Sequence, residues 1–75
     1  MFSEKIFTSR LKALRLEKGL TLEQLGNELQ STKGTFANLE NSKKKPSLDM
    51  AIKLCNYFNV SSDYLLGLSD DPNRH

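Results

Sequence analysis

Residues that can begin a helix recur at short intervals along the chain, and this punctuation restricts its fold more than any other feature. A serine or threonine precedes each of several short segments whose apolar side chains repeat every three or four residues. Such a hydroxyl accepts a hydrogen bond from a free N–H of the first helical turn, and the repeat is that of an amphipathic helix. Because no alternating strand pattern of useful length is present, an all-α domain with five short helices is predicted.

Each predicted helix has a start, an apolar stripe and an end. The starts are Ser3 or Thr8, Thr21, Thr32, Ser47 and Ser61. The stripes contain Phe7, Leu11 and Leu14; Leu22, Leu25 and Leu29; Phe36 and Leu39; Leu48, Ala51, Cys55 and Phe58; and Leu65. The ends are Gly19, Gln30 with Ser31, Asn41 with Ser42, Asn59, and Gly67. The second start is strengthened by Gln24, which completes a capping box.

The size and composition of the chain exclude several classes of function. Its 75 residues allow one small domain. The single cysteine, Cys55, excludes an internal disulfide and is expected in the core, while the only histidine, His75, is expected to be a frayed end without a catalytic task. We expect no metal, cofactor, small-molecule ligand or enzymatic activity, because no ligand cluster, acid–base pair, activated nucleophile or phosphate loop can be assembled.

Positive charge is concentrated near the middle of the chain. The net charge is only +2, but residues 1–53 carry ten Lys or Arg against six Asp or Glu, and residues 54–75 carry one against three. Residues 31–45 alone hold four lysines and one glutamate. By itself a lysine cluster in a small protein is most often a solvated loop, and contact with a nucleic acid is the alternative that a surrounding DNA-binding motif would favour. No apolar run approaches the roughly 18 residues of a membrane span, so an intracellular chain without membrane contact is expected.

The second and third predicted helices are each about eight residues long and are joined by two or three residues. Neither is long enough to be stable alone in water. Gly26 lies in the middle of the second helix, where glycine costs about 0.5–1 kcal/mol relative to alanine. A residue without a side chain is useful there if the third helix crosses very close to it. Together these features predict a helix-turn-helix.

The runs RLKALRLEKGLTLEQLGNEL and TKGTFANLENSKKKPSLDMAIKLCNYFNVSSDYLLG resemble the phage-repressor and Cro-type helix-turn-helix family over about residues 8–67. The R-L-K-x-L-R start, K-G-L-T, L-E-N, K-x-P-S and V-S-x-D-Y-L-L-G agree in order. The resemblance implies a compact five-helix, lambda-repressor-like domain in residues 1–68, with a flexible polar tail in residues 69–75. It also implies a cytoplasmic protein of a prokaryote or a phage.

The resemblance further implies that the third helix enters the major groove of double-stranded DNA. The positions that would read bases are Lys33, Gly34 and Asn38. Gly34 either allows close approach to a thymine methyl group or reads nothing. The residues implied to lie at the DNA backbone are Arg15, Thr21, Thr32, Thr35, Asn41, Lys43, Lys44 and Lys45. Arg15 would also form a structural ion pair with Glu40.

Three positions depart from the family pattern. The first residue of the second helix, often a glutamine that binds a phosphate, is Leu22. The turn residue, usually a glycine in the left-handed conformation, is Gln30, so either local strain or a different turn is expected. The next position, often valine, is Ser31. These departures leave the motif in place but remove one expected phosphate contact.

The last predicted helix ends in apolar residues that the core cannot fully accommodate. Leu65 is expected to pack inward, and Tyr64, Leu66 and Leu68 are predicted to pair two protomers. The function predicted is therefore a sequence-specific regulator, most simply a repressor that binds a palindromic operator as a dimer. The alternative is an antitoxin or antirepressor-like interaction module with secondary DNA binding. Whether the sequence continues in a larger regulator stays open.

Overall fold

The computed structural model describes residues 3–73, and the predicted all-α class is confirmed. Five helices follow one another without a strand among these residues. Their bounds are α1 Glu4–Glu17, α2 Leu22–Glu28, α3 Lys33–Glu40, α4 Leu48–Phe58 and α5 Ser62–Leu65. Helix α3 packs against α1 and α2, while α5 packs against α1 and α4. The expectation for His75 lies outside the described residues.

Every described helix begins at a hydroxyl residue, as the sequence predicts. The side-chain oxygen of each accepts a hydrogen bond from the N–H three residues further on. These residues are Ser3, Thr21, Thr32, Ser47 and Ser61. The capping box between Thr21 and Gln24 is also confirmed. For α1 the start is Ser3, whereas Thr8 lies inside the helix and donates its hydroxyl to the carbonyl of Lys5.

Every described helix ends at a residue with a positive φ. These residues are Gly19, Gln30, Ser42, Asn59 and Gly67, with φ between 55° and 86°. After α2, the N–H of Gln30 donates to Asn27 and that of Ser31 to Gly26, which is the hydrogen-bond pattern of a Schellman motif. Gln30 therefore keeps the family's left-handed turn, at φ 55°, and accepts the strain that a glycine would avoid.

The core is built from the predicted stripes, with one exception. Phe7, Leu11, Leu25, Phe36 and Leu39 are at most 1% exposed, and Leu65 and Cys55 are also buried as predicted. Leu48 was predicted to be in the stripe of α4, which is wrong, because its side chain is 77% exposed. It is the first residue of α4, where the helix leaves the core, and Leu54 fills the buried position instead.

Arg10 joins α1 to the segment after α5, a role that the sequence analysis did not anticipate. Its guanidinium donates to the carbonyls of Tyr64 and Ser69 and to the carboxylate of Asp70. It also lies over the Tyr64 ring, 4.0 Å from the ring centroid. The N–H of Ser61 donates to the carbonyl of Pro72, so the described part of the tail lies against the domain. The flexibility of residues 69–75 stays a prediction.

The left-handed conformation of Gln30 leads to a prediction about stability. Gln30→Gly is expected to raise the free energy of unfolding by about 0.5–1 kcal/mol, because glycine adopts positive φ without a Cβ clash. Asn27→Gly, at an exposed position inside α2, is the matched control and is expected to lower it by a similar amount. Urea unfolding followed by circular dichroism measures both. Equal destabilisation by the two glycines would contradict the strain assigned to Gln30.

Candidate nucleic-acid interface

The junction between α2 and α3 is held at backbone contact by Gly26. A Cβ placed on Gly26 would lie 2.8 Å from the carbonyl carbon of Thr32 and 3.1 Å from the nitrogen of Lys33. The predicted reason for this glycine is therefore confirmed, since α3 begins directly against α2. Any side chain would displace the first turn of α3, the turn that carries Lys33 and Gly34, two of the three predicted base-reading residues.

The other end of α3 is fixed by a buried ion pair between Arg15 and Glu40. The Arg15 Nε donates to Glu40 Oε2 at 2.7 Å and the Nη2 donates to Oε1 at 3.1 Å. The Nη1 donates to the carbonyl of Leu20 at 2.7 Å. The two side chains are only 11% and 7% exposed, so each charge is compensated mainly by the other. The predicted structural pair is present, while contact of Arg15 with a phosphate stays a prediction.

The outer face of α3 is open to solvent. Lys33, Gly34 and Asn38 are all exposed, and Gly34 and Asn38 lie one helical turn apart on the same face. The side-chain amide of Asn38 forms no hydrogen bond with any described residue. Its donor and acceptor are therefore both available to a base edge.

The two threonines of the first turn share a hydrogen bond. The Thr32 hydroxyl accepts from the N–H of Thr35 and lies 3.0 Å from the Thr35 hydroxyl. One hydroxyl hydrogen suffices for the contact between the two side chains. The other hydroxyl hydrogen remains to be donated to an anionic oxygen, which suits the predicted backbone contact.

The first turn of α3 lacks the acidic residue that the other described helices have. Glu4, Glu23, Asp49 and Asp63 occupy the first turns of α1, α2, α4 and α5, whereas α3 begins with Lys33. An acid near a helix N-terminus stabilises the helix by about 0.3–1 kcal/mol. Its absence leaves the positive end of the α3 dipole uncompensated, which favours an anionic ligand. The missing acid can be seen in the sequence once the helix starts are assigned, but the sequence analysis above did not identify it.

The segment after α3 offers lysine side chains more than backbone N–H groups. Asn41, Ser42 and Lys43 all donate their N–H groups to carbonyls of α3, in the hydrogen bonds that end the helix. Those groups are therefore not available to phosphates. Lys43, Lys44 and Lys45 are exposed, and the Nζ of Lys45 lies 3.7 Å from a carboxylate oxygen of Glu4. Lys45 thus points partly away from α3, toward α1.

The start of α2 supplies one further polar group on the predicted DNA side. The Thr21 hydroxyl accepts from the N–H of Gln24, and its own hydrogen can be donated to a phosphate. Leu22, which stands where family members often have glutamine, packs against the core instead. Leu22 is therefore used for packing, and Thr21 is the polar side chain of this region.

The residues predicted to pair protomers differ in their surroundings. Tyr64 is half-buried, and one face of its ring is covered by Arg10. Leu66 is also half-buried and lines an apolar groove with Leu48 and Ala51. Leu68 is 51% exposed.

Residues 3–73 contain neither a metal-binding cluster nor a membrane-spanning helix. No group of three or more His, Cys, Asp or Glu among them could hold a metal ion. None of the helices in this range is long and apolar enough to cross a membrane.

The fold and this surface define a class of protein: a small helix-turn-helix domain whose third helix has an open outer face and is followed by three exposed lysines. A helix-turn-helix family model matches residues 11–65. Over 67 residues the chain is 40% identical to the uncharacterized HTH-type transcriptional regulator YobD of Bacillus subtilis. This match covers 89% of the chain and 60% of YobD. It is 38% identical over 58 residues to the HTH-type transcriptional regulator ImmR of the same organism, covering 77% of this chain and 46% of ImmR.

A solved structure shares the same fold. The P22 c2 repressor, crystallised with a synthetic operator, superposes with a TM-score of 0.78 at 22% identity, covering 85% of this chain and 97% of the repressor chain. The chain belongs to the helix-turn-helix family, which includes HTH-type transcriptional regulators such as YobD and ImmR. This membership confirms the resemblance and the prediction that the chain is not an enzyme. The chain spans about half the length of the curated relatives YobD and ImmR.

Proposed function

We propose that the chain represses transcription by binding a palindromic operator as a dimer, with α3 in the major groove. The observation that carries this proposal is the first turn of α3, in which Lys33 and Gly34 are exposed and which, alone among those of the described helices, has no acidic residue. An acid there would repel the phosphates beside the groove. The P22 c2 repressor, which shares the fold, was crystallised with a synthetic operator, and this supports DNA as the partner.

Base selectivity is assigned to Lys33 and Asn38. Lysine donates to the O6 and N7 atoms of guanine, and asparagine pairs with the N6 and N7 atoms of adenine. Both side chains are exposed on α3, and Asn38 has no competing partner among the described residues. Gly34 lies between them without a side chain, which allows the helix to approach the floor of the groove.

Affinity and register are assigned to the groups around the reading face. Thr21 and one of the paired threonines Thr32 and Thr35 supply hydroxyl donors, while Lys43 and Lys44 supply positive charge. Each phosphate that a lysine neutralises contributes about −0.9 to the slope of log K against log salt. Contacts of this kind orient the domain but do not depend on sequence. Asn41 contributes its side chain, because its N–H is used in the end of α3. Arg15 acts mainly by fixing α3 through Glu40. The charge of Lys45 is partly neutralised by the carboxylate of Glu4.

These assignments predict different effects for two alanine variants. Asn38→Ala is expected to weaken binding to the preferred duplex by about 1–3 kcal/mol while leaving unrelated duplexes almost unaffected. Lys44→Ala is expected to weaken all duplexes alike and to make the salt slope less negative by about 0.9. Fluorescence anisotropy on a preferred and a scrambled duplex at several salt concentrations measures both. Equal losses on both duplexes for Asn38→Ala would rule out Asn38 as a base-reading residue.

The proposal as a whole is tested by selecting binding sites from a pool of random duplex DNA at moderate salt. An enriched inverted repeat with half-sites about 34–36 Å apart is the expected result. Enrichment of a single half-site would retain sequence reading but contradict the dimer. If no sequence is enriched, sequence-specific regulation by this chain is contradicted. Repression itself is tested by placing the selected site over a promoter and measuring transcription in vitro with and without the protein.

A further inference from the structure

Residues 61–72 turn back on themselves after α5 and form a closed loop, called here the C-terminal loop. The N–H of Ser61 donates to the carbonyl of Pro72 at 3.0 Å, and the Ser61 hydroxyl donates to the carbonyl of Asp71 at 3.3 Å. These two hydrogen bonds tie the ends of the loop together. The chain reverses between them at Gly67, which has a φ of 86°.

The guanidinium of Arg10 joins α1 to two separate parts of this loop. It donates to the carbonyl of Tyr64 in α5, to the carbonyl of Ser69 at 2.7 Å and to the carboxylate of Asp70 at 2.8 Å. It also covers one face of the Tyr64 ring, 4.0 Å from the ring centroid. The Arg10 side chain is only 18% exposed. One side chain of α1 therefore holds both the end of α5 and the segment that follows it.

The C-terminal loop has little else to fix it on the domain. Helix α5 has four residues, of which only Leu65 is buried, and a helix needs about 12–15 residues to be stable alone in water. Residues 69–73 are polar apart from Pro72, and only Ser69 among them is partly buried. An exposed polar segment stays ordered only if specific contacts outweigh its conformational entropy, and the contacts to Arg10 are of that kind.

We infer that Arg10 fixes the C-terminal loop on the domain, so that residues 69–72 belong to the folded structure. The inference competes with the flexible tail predicted from the sequence for residues 69–75. It has one consequence for DNA binding, which rests on the proposed dimer. Leu66 and Leu68 lie in this loop and are among the residues predicted to pair protomers, so Arg10 is a positioning residue for pairing.

The shape of the Arg10 guanidinium is more important here than its charge. Asp70, the acid among its partners, is fully exposed, and exposed ion pairs contribute little. The hydrogen bonds to the two carbonyls are partly buried. The planar fork of an arginine can make both of them at once, whereas a lysine is a point charge on a flexible stem. Lysine is therefore not expected to replace Arg10.

The first test measures the order of the loop by backbone ¹⁵N relaxation without DNA. In wild type, the order parameters of residues 69–71 are expected near 0.85, the usual value for a rigid backbone, whereas in Arg10→Lys they should fall below about 0.6. The values in α1 to α4 should not change. Lys12→Met is the matched control, because Lys12 is an exposed basic residue of the same helix, and it should leave the loop ordered.

Two outcomes of this measurement would overturn the inference. Order parameters below about 0.6 for residues 69–71 in wild type would establish the flexible tail instead. An ordered loop in Arg10→Lys would show that the fork does not hold it. Asp70→Asn separates fork from charge, since it removes the ion pair and keeps the carbonyl contacts, and the loop is expected to stay ordered. Disorder in Asp70→Asn equal to that in Arg10→Lys would contradict the role assigned to the fork.

The second test measures pairing on DNA by fluorescence anisotropy with one and with two selected half-sites. The partners of the Arg10 guanidinium lie in the C-terminal loop, so Arg10→Lys should bind a single half-site as wild type does. Its cooperativity on two half-sites is expected to fall by about 10-fold, within the usual range of coupling between sites. A merely destabilising substitution would weaken both kinds of binding alike.

The failure of this inference differs from the failure of the proposed function. Retained cooperativity in Arg10→Lys would overturn the positioning role of Arg10. A wild-type protein that binds no half-site, or binds two without cooperativity, would contradict the proposed dimeric operator binding instead. The order of the loop does not depend on DNA, so the relaxation measurement decides whether Arg10 holds it in either case.

Discussion

Replacing Glu40 with alanine is expected to lower the free energy of unfolding by about 3–5 kcal/mol, because it leaves the Arg15 charge buried without its partner. The pair is at most 11% exposed, and only the carbonyl of Leu20 would remain to accept from the guanidinium. The total free energy of unfolding of a small domain is only about 5–15 kcal/mol. The variant should therefore unfold at a much lower urea concentration, as measured by circular dichroism at 222 nm.

Glu4→Ala provides the matched control for Glu40→Ala. Glu4 also forms an ion pair, with Lys45, but those side chains are 44% and 72% exposed. Exposed pairs contribute about 0–1 kcal/mol, so the loss should stay below about 1 kcal/mol. If the two variants lose the same stability, the Arg15–Glu40 pair does not behave as a buried pair.

A double variant separates the stability of the Arg15–Glu40 pair from its effect on α3. Arg15→Met with Glu40→Leu removes both charges and should recover most of the stability that Glu40→Ala loses. The ion pair also sets the position of the last turn of α3, however, which apolar contacts do not reproduce. DNA affinity should therefore stay below wild type although the domain is stable. Full recovery of both properties would show that the pair contributes no positioning of α3.

The helix boundaries could be predicted from the sequence because they are determined by local hydrogen bonds. A hydroxyl that accepts from the N–H three residues further on needs no information from the rest of the chain. Four starts were assigned in this way, and for α1 the sequence left Ser3 and Thr8 as alternatives. Gln30 shows the limit of this approach. The sequence left open whether the turn would change or become strained, and the contact between Gly26 and Thr32 decides it, because α3 can lie that close only if the left-handed turn is kept.

Features that depend on the position of a neighbouring helix could not be predicted. Leu48 fits the apolar period of α4, but it is the first residue of the helix, and this end of α4 projects beyond the core. Its side chain is therefore exposed. Arg10 resembles any solvated charge on α1 until α5 and Asp70 come within hydrogen-bond distance. The same holds for the N–H groups after α3, whose use in the helix end is visible only when the backbone is traced.

Gly26→Ala is the second substitution with a large expected effect. Alanine is the better helix former by about 0.5–1 kcal/mol, yet its Cβ would lie 2.8 Å from a backbone carbon of Thr32. Backbone atoms cannot rotate away as a side chain does, so α2 and α3 must separate. Overpacking of this kind costs about 1–3 kcal/mol. Because the contact is with backbone atoms, a cost of about 3 kcal/mol is expected, and the propensity gain reduces it to a net loss of about 2 kcal/mol in urea unfolding. A loss of DNA affinity is expected as well, under conditions where the variant is fully folded.

Gly34→Ala is the matched control for Gly26→Ala, since both glycines lie inside short helices and differ in what surrounds them. A Cβ on Gly34 would meet only the Thr32 hydroxyl oxygen, at 3.9 Å. Because Gly34 is the second residue of α3, the helix-propensity gain should be at most about 0.5–1 kcal/mol, with no steric cost against it. Opposite signs for the same substitution would locate the cost of Gly26→Ala in the contact between α2 and α3. If Gly26→Ala also stabilised the domain, that contact would be able to relax, and the placement of α3 would have to depend on the Arg15–Glu40 pair alone.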